Sequence, residues 1–369
     1  MKKEKVIVGL SGGVDSSVTL LLLKQQGYDV EAFFMRNWDS TLNNDVLGNN
    51  DDSEICSQEV DYADAKKVAD QLGVKLHRVD FIKEYWDFVF KHFVDEYAKG
   101  RTPNPDILCN KHIKFEQFLN YAVEKLGADY IATGHYAGVR FNEKTKEYEL
   151  LKGKDHTKDQ SYFLSELNQK QLSKTLFPLY ELPKTEIREI ARKFNIATSD
   201  KPDSTGICFI GERNFTKFLQ NYIPNQPGDI FDISTNKKIG THIGVMYYTI
   251  GQRKGLNLGG QSEPYYVADK DIEKKILYVS PTSDEKYLYS NECESENFNW
   301  IVNPKNYFSN DVFKCTAKFR YRQIDVNVTV YIKGKDIKVV LDEKTRALTP
   351  GQEVVLYHNE ICLGGGVIK

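Results

Sequence analysis

The chain has little of several features that mark other classes of protein. Six cysteines occur in 369 residues, with no CxxC pair and no cysteine/histidine cluster at zinc spacing, so we expect neither a disulfide scaffold nor a metal site built by the protein. No stretch is apolar for long enough to cross a bilayer. No apolar secretion segment follows Met1–Lys5, so we expect a cytoplasmic protein without membrane contact. The net charge of −2 argues against unspecific coating of nucleic acid but allows a local basic face.

Strand-like and helix-like segments alternate in the first third of the chain. The hydrophobic patterns predict strands at Lys5–Leu10, Tyr28–Met35, Val74–Val79 and Tyr130–Thr133, and helices at Ser16–Gln26, Glu59–Leu72, Ile82–Tyr97 and Ile113–Leu126. This alternation predicts an α/β domain with a parallel sheet and helices on both faces. The polar stretch Asn37–Asp52 predicts a mobile insertion.

The character of the sequence changes after about Gly211. Short apolar pieces broken by glycine and proline predict a small mixed domain, and a series of alternating segments then predicts a β-barrel. These segments are Phe313–Tyr321, Val326–Ile332, Ile337–Leu341, Glu353–Tyr357 and Ile361–Val367. We therefore predict three domains, with bounds at 1–210, 211–280 and 281–369.

A loop near the N-terminus carries the strongest local signal. It reads Ser11-Gly12-Gly13-Val14-Asp15-Ser16-Ser17 and joins a predicted strand to a predicted helix. Backbone N–H groups at a helix N-terminus attract anions, glycines permit close backbone approach, and serine hydroxyls donate hydrogen bonds. A bare glycine pair would fit a tight turn without a ligand, but the whole run in this context predicts a phosphate site.

The same loop excludes two common classes of nucleotide site. It lacks the lysine of the GxxxxGK[ST] motif, which reaches the β- and γ-phosphates, so γ-phosphoryl transfer is disfavoured. Its spacing is not G-x-G-x-x-G, so a dinucleotide fingerprint does not fit. The pattern SGGxDS resembles the PP-loop of the ATP pyrophosphatases, which attack ATP at the α-phosphate and release pyrophosphate. We therefore expect an enzyme that adenylates its substrate.

Two of the cysteines lie in distinctive segments. Cys109 ends the proline-rich run Gly100–Asn110, which we predict to be non-helical and to precede a helix that starts near Lys111. A thiolate close to a helix N-terminus is stabilised. Cys208 lies in a glycine-containing turn. The remaining thiols are interpreted as small buried apolar residues or, for the first, an incidental loop residue: Cys56, Cys293, Cys315 and Cys362.

Eight motifs taken together resemble one family. They are GLSGGVDSS, GRTPNPDILCN, GADYIATGHY, KDQSYFL, KPDSTGICFIGER, GQRKGL, RYRQ and TPGQ. In this combination the chain resembles the bacterial tRNA-specific 2-thiouridylases of the PP-loop superfamily, which put sulfur on the wobble uridine of tRNA. The resemblance runs from Lys5 to Lys369, and the clearest departure from the family is an insertion-like stretch, Leu42–Asn50.

The resemblance implies a chemistry for the two thiols. ATP adenylates the C2 oxygen of uracil, and a persulfide on the residue that matches Cys208 attacks the activated carbon. Cys109 matches the partner thiol, which breaks the remaining S–S bond by exchange and leaves a Cys109–Cys208 disulfide. Asp106 matches the proposed acid/base group, although in isolation it would also fit a turn or helix-capping aspartate.

The resemblance also assigns binding residues. The nucleotide would be bound by residues of the loop and by two positions near it, namely Gly9, Leu10, Ser11, Gly12, Gly13, Val14, Asp15, Ser16, Met35 and Gly134. Contacts with tRNA would come from Asn104, Pro105, Asp106, His135, Lys158, Asp159, Gln160, Arg320, Tyr321 and Gln352. Without the family, Met35 would fit a core residue, Arg320 and Tyr321 a plain strand, and Gln352 a simple turn.

The expected cofactors and partners follow from this chemistry. ATP is the activating substrate, and Mg²⁺ is expected with its phosphates although no dedicated set of ligands is visible. The partners would be tRNA and a persulfide donor, either a sulfur-relay protein or a cysteine desulfurase. Two alternatives stay open at this point. One is another adenylating PP-loop enzyme, such as a lysidine synthetase or an amidating synthetase, and the other is a nucleotide- and RNA-binding module without catalysis.

Overall fold

A computed structural model of the protein describes residues 3–47, 57–203, 206, 208, 210 and 214–369. Its α-helices are α1 Val14–Gln25, α2 Ser57–Leu72, α3 Ile82–Tyr85, α4 Lys91–Ala98, α5 Pro105–Leu108, α6 Phe118–Leu126, α7 Gln169–Leu172, α8 Lys184–Lys193 and α9 Phe215–Gln220. Its first seven strands are β1 Lys5–Gly9, β2 Asp29–Arg36, β3 Leu76–Asp80, β4 Tyr130–Ala132, β5 Ala137–Asn142, β6 Glu147–Lys152 and β7 Thr175–Leu176. The others are β8 Gly228–Asp232, β9 Lys237–His242, β10 Tyr265–Asp271, β11 Ile276–Pro281, β12 Tyr289–Ser295, β13 Asn299–Trp300, β14 Val312–Lys318, β15 Val326–Lys333, β16 Asp336–Arg346, β17 Glu353–His358 and β18 Ile361–Val367.

A parallel sheet forms the N-terminal part, as the alternation of strands and helices predicts. Its strand order is β3-β2-β1-β4-β7, and every pairing in it is parallel. The central strand β1 is buried on both faces, with Val6, Ile7 and Val8 fully inaccessible to solvent. Such burial explains its continuous apolar run. The carboxyl ends of β1 and β4 lead directly into the loops that carry the candidate site.

Two long helices contain a π-helical segment that the hydrophobic patterns do not predict. These segments are Trp86–Phe90 between α3 and α4 and Cys109–Gln117 between α5 and α6. The prediction that the proline-rich run is non-helical is wrong, because Pro105 occupies the first helical position, where its missing N–H and fixed φ are tolerated. Asn104 caps this helix, and its side chain accepts a hydrogen bond from the Asp106 amide.

A small mixed domain follows the α/β domain. Strands β10, β11, β8 and β9 form one sheet in that order, with β11 and β8 parallel and the other pairs antiparallel. The apolar piece Gly244–Ile250 contains a short 3₁₀ helix, Val245–Tyr247, and the segment at Tyr265 is a strand. The mixed composition predicted for this region is thus present.

The C-terminal strands close into a barrel. Strands β12, β16, β15, β14, β17 and β18 pair in that order, and a bridge between Ser295 and Ile368 returns the sheet to β12. All five strand segments predicted there are present. The fold class predicted from the sequence, a parallel α/β domain followed by a small mixed domain and a β-barrel, is therefore confirmed.

A hairpin from the N-terminal part joins the barrel. Strand β6 pairs with β18, and β5 pairs with β6, so β5 and β6 extend the barrel sheet although they follow β4 in the chain. The hydrophobic patterns of the sequence do not predict this hairpin. It ties the α/β domain to the barrel through backbone hydrogen bonds.

The insertion-like stretch is described in part. Residues 48–56, which include Cys56 and the end of Leu42–Asn50, lie outside the described residues. Before them, the Trp38 indole donates to Asp45 at 3.1 Å, and the Asn221 side chain accepts from the Leu47 amide at 2.9 Å. The segment 37–47 therefore packs between the α/β domain and α9. Among the described residues, no helix has the length and apolarity that crossing a membrane requires.

Candidate active site

The loop between β1 and α1 has the geometry of a phosphate-binding turn. Gly12 has φ of +76°, and a Cβ placed there would lie 2.3 Å from the Asp61 carbonyl oxygen, so only glycine fits. Gly13 is the N-cap of α1, and no side chain caps that helix end. The Ser16 hydroxyl accepts a hydrogen bond from the Ser11 amide at 3.2 Å. These contacts hold the turn open at the helix N-terminus, where backbone N–H groups attract anions.

The other predicted nucleotide residues lie beside this turn or in the hydrophobic core beneath it. Gly134, after β4, approaches α1 so closely that a Cβ would lie 2.8 Å from the Ser16 nitrogen. Met35 lies at the end of β2, with its terminal methyl 3.6 Å from the Cβ position of Gly9. Leu10 and Val14 are 1% and 3% exposed and belong to the hydrophobic core beneath the loop. The structure thus brings all ten predicted residues to one end of the parallel sheet.

A lysine that the sequence analysis did not select lies at this loop. The Lys184 ammonium, at the start of α8, donates to both carboxylate oxygens of Asp15 at 2.7 and 2.8 Å. The Tyr136 hydroxyl also donates to Asp15, at 2.8 Å. The loop motif has no lysine of its own, so the fold supplies a cation from a helix that lies 169 positions later in the chain. Pro183-Lys184 at a helix start was the available signal, but nothing in the sequence linked it to the loop.

Asp203 connects this cluster to the segment that carries Cys208. Its carboxylate pairs with Lys158 at 2.8 Å, Lys184 at 2.7 Å and Arg188 at 2.8 Å. Burial works against ionisation here, but these cations hold the pKa of Asp203 well below its usual range. Because Cys208 follows five positions later, the two Cα atoms are at most about 18 Å apart. The phosphate loop and the thiols therefore belong to one region of the molecule.

The two predicted thiols meet in space. The Sγ atoms of Cys109 and Cys208 are 3.8 Å apart, although the residues are 99 positions apart in the chain. Cys109 begins the π-helical segment and is fully buried, whereas Cys208 is partly exposed. The two sulfurs are in contact, and a small movement would join them in a disulfide.

The thiols have opposite electrostatic environments. Burial, together with the hydrogen bond to Cys208, raises the pKa of Cys109 well above its usual value. The hydrogen bond from Cys109 and the charge of Lys114 lower the pKa of Cys208, against burial and the charge of Asp106. The pair therefore favours a thiolate on Cys208, which is the form that accepts sulfur, whereas Cys109 must lose its proton before it can attack a disulfide or a persulfide.

Asp106 lies directly against this pair. Its Oδ1 accepts a hydrogen bond from the Cys208 amide at 3.2 Å, and the Tyr85 hydroxyl donates to the Cys208 carbonyl at 2.9 Å. Burial raises the pKa of Asp106, opposed by Lys114 and by the Cys208 amide. A carboxyl group with a raised pKa beside a thiol is suited to proton transfer.

Four of the predicted tRNA residues are engaged inside the α/β domain. His135 is buried against Thr133, whose hydroxyl is 2.8 Å from its Nδ1, and burial lowers the pKa of His135 well below its usual value. Lys158 pairs with Asp203. Asp159 is 5% exposed and accepts hydrogen bonds from two backbone amides, and the Gln160 side chain accepts from the Tyr136 amide.

The predicted tRNA residues of the barrel also make internal contacts. The Arg320 guanidinium donates to the Thr349 hydroxyl at 2.8 Å and to two backbone carbonyls. The Tyr321 ring lies 4.4 Å from that of Phe163. The Gln352 amide donates to the Thr102 carbonyl at 2.7 Å, so the barrel contacts the segment that leads to Cys109. The contact of these residues with RNA stays a prediction.

Of the remaining described cysteines, Cys293 and Cys362 fit the interpretation of buried apolar residues, and Cys315 is partly exposed. Burial raises the pKa of Cys293 and of Cys315 to about 12 each, and Cys362 is fully buried. Within the described ranges, no group of three or more histidine, cysteine or acidic side chains could hold a metal ion.

Comparisons with known proteins cover the chain from end to end. Residues 4–212 match the model of the tRNA methyl transferase HUP domain, 216–281 that of the tRNA methyl transferase PRC-barrel domain, and 290–368 that of the aminomethyltransferase beta-barrel domain. The chain is 65% identical to the tRNA-specific 2-thiouridylase MnmA of Mesoplasma florum, over 99% of each chain. It is 64% identical to the protein of that name from Mycoplasma capricolum subsp. capricolum, over 99% of this chain and 98% of the relative. The U34-tRNA thiolase NcsA of Methanococcus maripaludis gives a TM-score of 0.34 at 19% identity, over 57% of this chain and 64% of that one, and a likeness this low carries no argument.

Proposed function

The chain belongs to the family of bacterial tRNA-specific 2-thiouridylases, and we propose that it thiolates the wobble uridine of tRNA through a persulfide on Cys208. The observation that carries the proposal is the contact of 3.8 Å between the sulfurs of Cys109 and Cys208 beside Asp106. A lysidine synthetase or an amidating synthetase needs no such pair of thiols, and a binding module needs no adenylating loop.

The first step uses the phosphate loop. ATP is a substrate, and its phosphates would meet the N–H groups at the start of α1, with Lys184 as the nearby cation. Attack of the uracil C2 oxygen on the α-phosphate would release pyrophosphate and leave that oxygen bonded to AMP. We propose Mg²⁺ as a companion of the nucleotide that neutralises the leaving pyrophosphate. Asp15 is the acidic residue of the loop and would be the side chain that contacts Mg²⁺ directly or through water. In the structure its carboxylate accepts hydrogen bonds from Lys184 and Tyr136.

The second step moves sulfur. The terminal sulfur of the Cys208 persulfide would attack C2, and AMP would leave with the former C2 oxygen. The N3 proton of uracil would pass to Asp106 and later return. A thiolate on Cys109 would then attack Cys208, which breaks the S–S bond, leaves the electron pair on the sulfur bound to C2, and joins the cysteines in a disulfide. An external thiol reductant supplies the two electrons that reset the pair.

A second order of events is compatible with the same residues. Cys109 would attack the persulfide first and release sulfide, which then attacks C2. Both orders end with the same disulfide and the same thiolated base.

The donor of the persulfide is proposed to be a sulfur-relay protein or a cysteine desulfurase, and the location to be the cytoplasm. We also keep the division into domains at 1–210, 211–280 and 281–369 as a proposal.

Nucleoside mass spectrometry tests the function. Unmodified tRNA, ATP, Mg²⁺, cysteine and a cysteine desulfurase are incubated with the protein, and the anticodon uridine is examined for sulfur in place of oxygen. We expect thiolation by the wild type and by Cys315→Ser, a control that removes a thiol of the barrel. Cys208→Ser and Cys109→Ser should each lose it. Full thiolation by Cys208→Ser would overturn the proposal.

A further inference from the structure

The helix that carries Cys109 has an unusual register. Cys109–Gln117 is π-helical, and its last bond runs from the Phe118 amide to the Ile113 carbonyl, five residues back. In this register residues five apart are neighbours along the helix, whereas in an α-helix they lie on different faces. Lys114 is five residues after Cys109. The π segment thus places Lys114 on the same face of the helix as Cys109, whose sulfur contacts that of Cys208 at 3.8 Å, and such segments occur frequently at functional sites.

The contacts of Lys114 converge on the thiol pair. Its positive charge acts on Cys208, Cys109 and Asp106 together. Burial favours the neutral amine, but these groups raise the pKa of Lys114 above its usual value. The lysine is therefore a permanent cation at neutral pH.

The other described titratable groups that act on Cys208 do not supply this charge. His135 is held neutral, because burial and the charge of Lys114 lower its pKa. The Tyr85 hydroxyl donates to the backbone carbonyl of Cys208 rather than to its sulfur. Asp106 contributes negative charge, which disfavours a thiolate. Among the described groups that act on Cys208, Lys114 is therefore the source of positive charge.

We propose that Lys114 is the cation that holds the sulfur of Cys208 as an anion, both as the thiolate that accepts sulfur and as the persulfide that attacks C2. It acts on the reacting sulfur through its charge and is therefore a positioning residue of the reaction. The proposal rests on the proposed function for the use of Cys208. The ionisation of the Cys208 sulfur itself, however, requires neither tRNA nor ATP.

Alkylation of Cys208 tests the proposal without the reaction. The rate of modification by iodoacetamide is followed by peptide mass spectrometry over a pH series, because only the thiolate reacts. Lys114→Gln should lower the rate near neutral pH by about tenfold or more, which corresponds to a rise of at least one unit in the pKa of Cys208. Lys114→Arg should keep the rate within about threefold of wild type. Lys125→Gln, the same change at an exposed position of the same helix, should leave it unchanged.

Two further measurements separate the cation from its surroundings. The hydrogen bond from Cys109 also lowers the pKa of Cys208, so the loss caused by Lys114→Gln should persist when Cys109→Ser is added. In the wild type, the pH at which the alkylation rate of Cys208 is half-maximal should be lower for the native protein than for the protein unfolded in urea. This comparison does not require Lys114→Gln to fold. An unchanged pH profile in a folded Lys114→Gln variant, or equal midpoints in native and unfolded wild type, would overturn the proposal. A different result would count against the proposed function: slower alkylation in Lys114→Gln, as expected, together with a wild type that does not thiolate tRNA.

Discussion

Substitution of Gly13 by alanine separates phosphate binding from folding in the loop after β1. Gly13 has φ of −93° and ψ of 164°, which alanine adopts without strain. A Cβ there would meet only the Ser11 hydroxyl oxygen, at 3.5 Å, an ordinary contact. Alanine stabilises the protein because it leaves the unfolded chain fewer conformations, and it destabilises the protein because it is a poorer N-cap than glycine. These effects oppose each other, so the free energy of unfolding should change by less than about 1 kcal/mol.

The same methyl group should interfere with a bound triphosphate. If phosphates approach the backbone N–H groups at the start of α1, the Cβ of residue 13 would push them away and weaken one or two hydrogen bonds to a charged group. Each such bond contributes about 1.5–3 kcal/mol, and the loss of one corresponds to about tenfold to 150-fold weaker ATP binding. Stability and affinity should therefore separate in this variant.

Calorimetric titration with ATP and thermal unfolding of the same samples test this prediction. Gly259→Ala is the matched control, because a Cβ at Gly259 meets no atom within 4 Å and the residue lies outside the loop. Gly12→Ala is the opposite case, because its Cβ would meet the Asp61 carbonyl oxygen at 2.3 Å. ATP affinity within about threefold of wild type in a fully stable Gly13→Ala protein would refute the assignment of the loop.

Two further substitutions test the charges of the site. Lys184→Gln removes the cation 2.7 Å from Asp15 and should weaken ATP binding by about tenfold or more in calorimetry. Lys193→Gln, the same change at an exposed position in the last turn of that helix, should leave ATP binding unchanged. Equal affinities of the two variants would contradict the role of Lys184. Burial and the charge of Glu166 raise the pKa of Glu353 well above its usual value. The folded state therefore binds this proton more tightly, and the wild type loses stability as pH rises through the interval above the ordinary carboxyl pKa of about 4.3. Glu353→Gln should thus unfold at a higher temperature than wild type at alkaline pH, with a difference that shrinks toward acid pH; a constant difference would contradict the ionisation.

Local signals made part of the site predictable. The phosphate loop is a contiguous run whose glycines and serines act through their own backbone and neighbours, so its strand-to-helix context is visible in the sequence. Cys109 and Cys208 were selected because each lies in a distinctive segment. Their contact became an expectation only through the resemblance to a family, since no local pattern relates residues 99 positions apart.

Other features depend on tertiary structure and left no readable local pattern. Lys184 reaches the loop from a helix whose sequence indicates only a helix start. Lys114 faces the thiols because of a π-helical register that hydrophobic periodicity does not report. The error at Pro105 has a different cause. Proline breaks a helix in its interior, but Pro105 stands at the first helical position, where proline is favoured.

The predicted tRNA residues illustrate the same division. Gln352 and Arg320 lie in recognisable motifs, but the sequence does not tell that their side chains bind the Thr102 carbonyl and the Thr349 hydroxyl. Hairpin β5–β6 likewise shows its alternating pattern only in retrospect, because its partner strand β18 follows about two hundred residues later.

A single-turnover experiment tests the central claim most directly. Cys208 is loaded with persulfide by a cysteine desulfurase, free sulfur and reductant are removed, and unmodified tRNA with ATP and Mg²⁺ is added. Thiolated nucleoside and the Cys109–Cys208 disulfide are then quantified in the same samples by mass spectrometry. The account predicts one disulfide for each sulfur transferred and a halt after one turnover until a thiol reductant is added. Thiolated tRNA in samples whose two cysteines remain free thiols would contradict it.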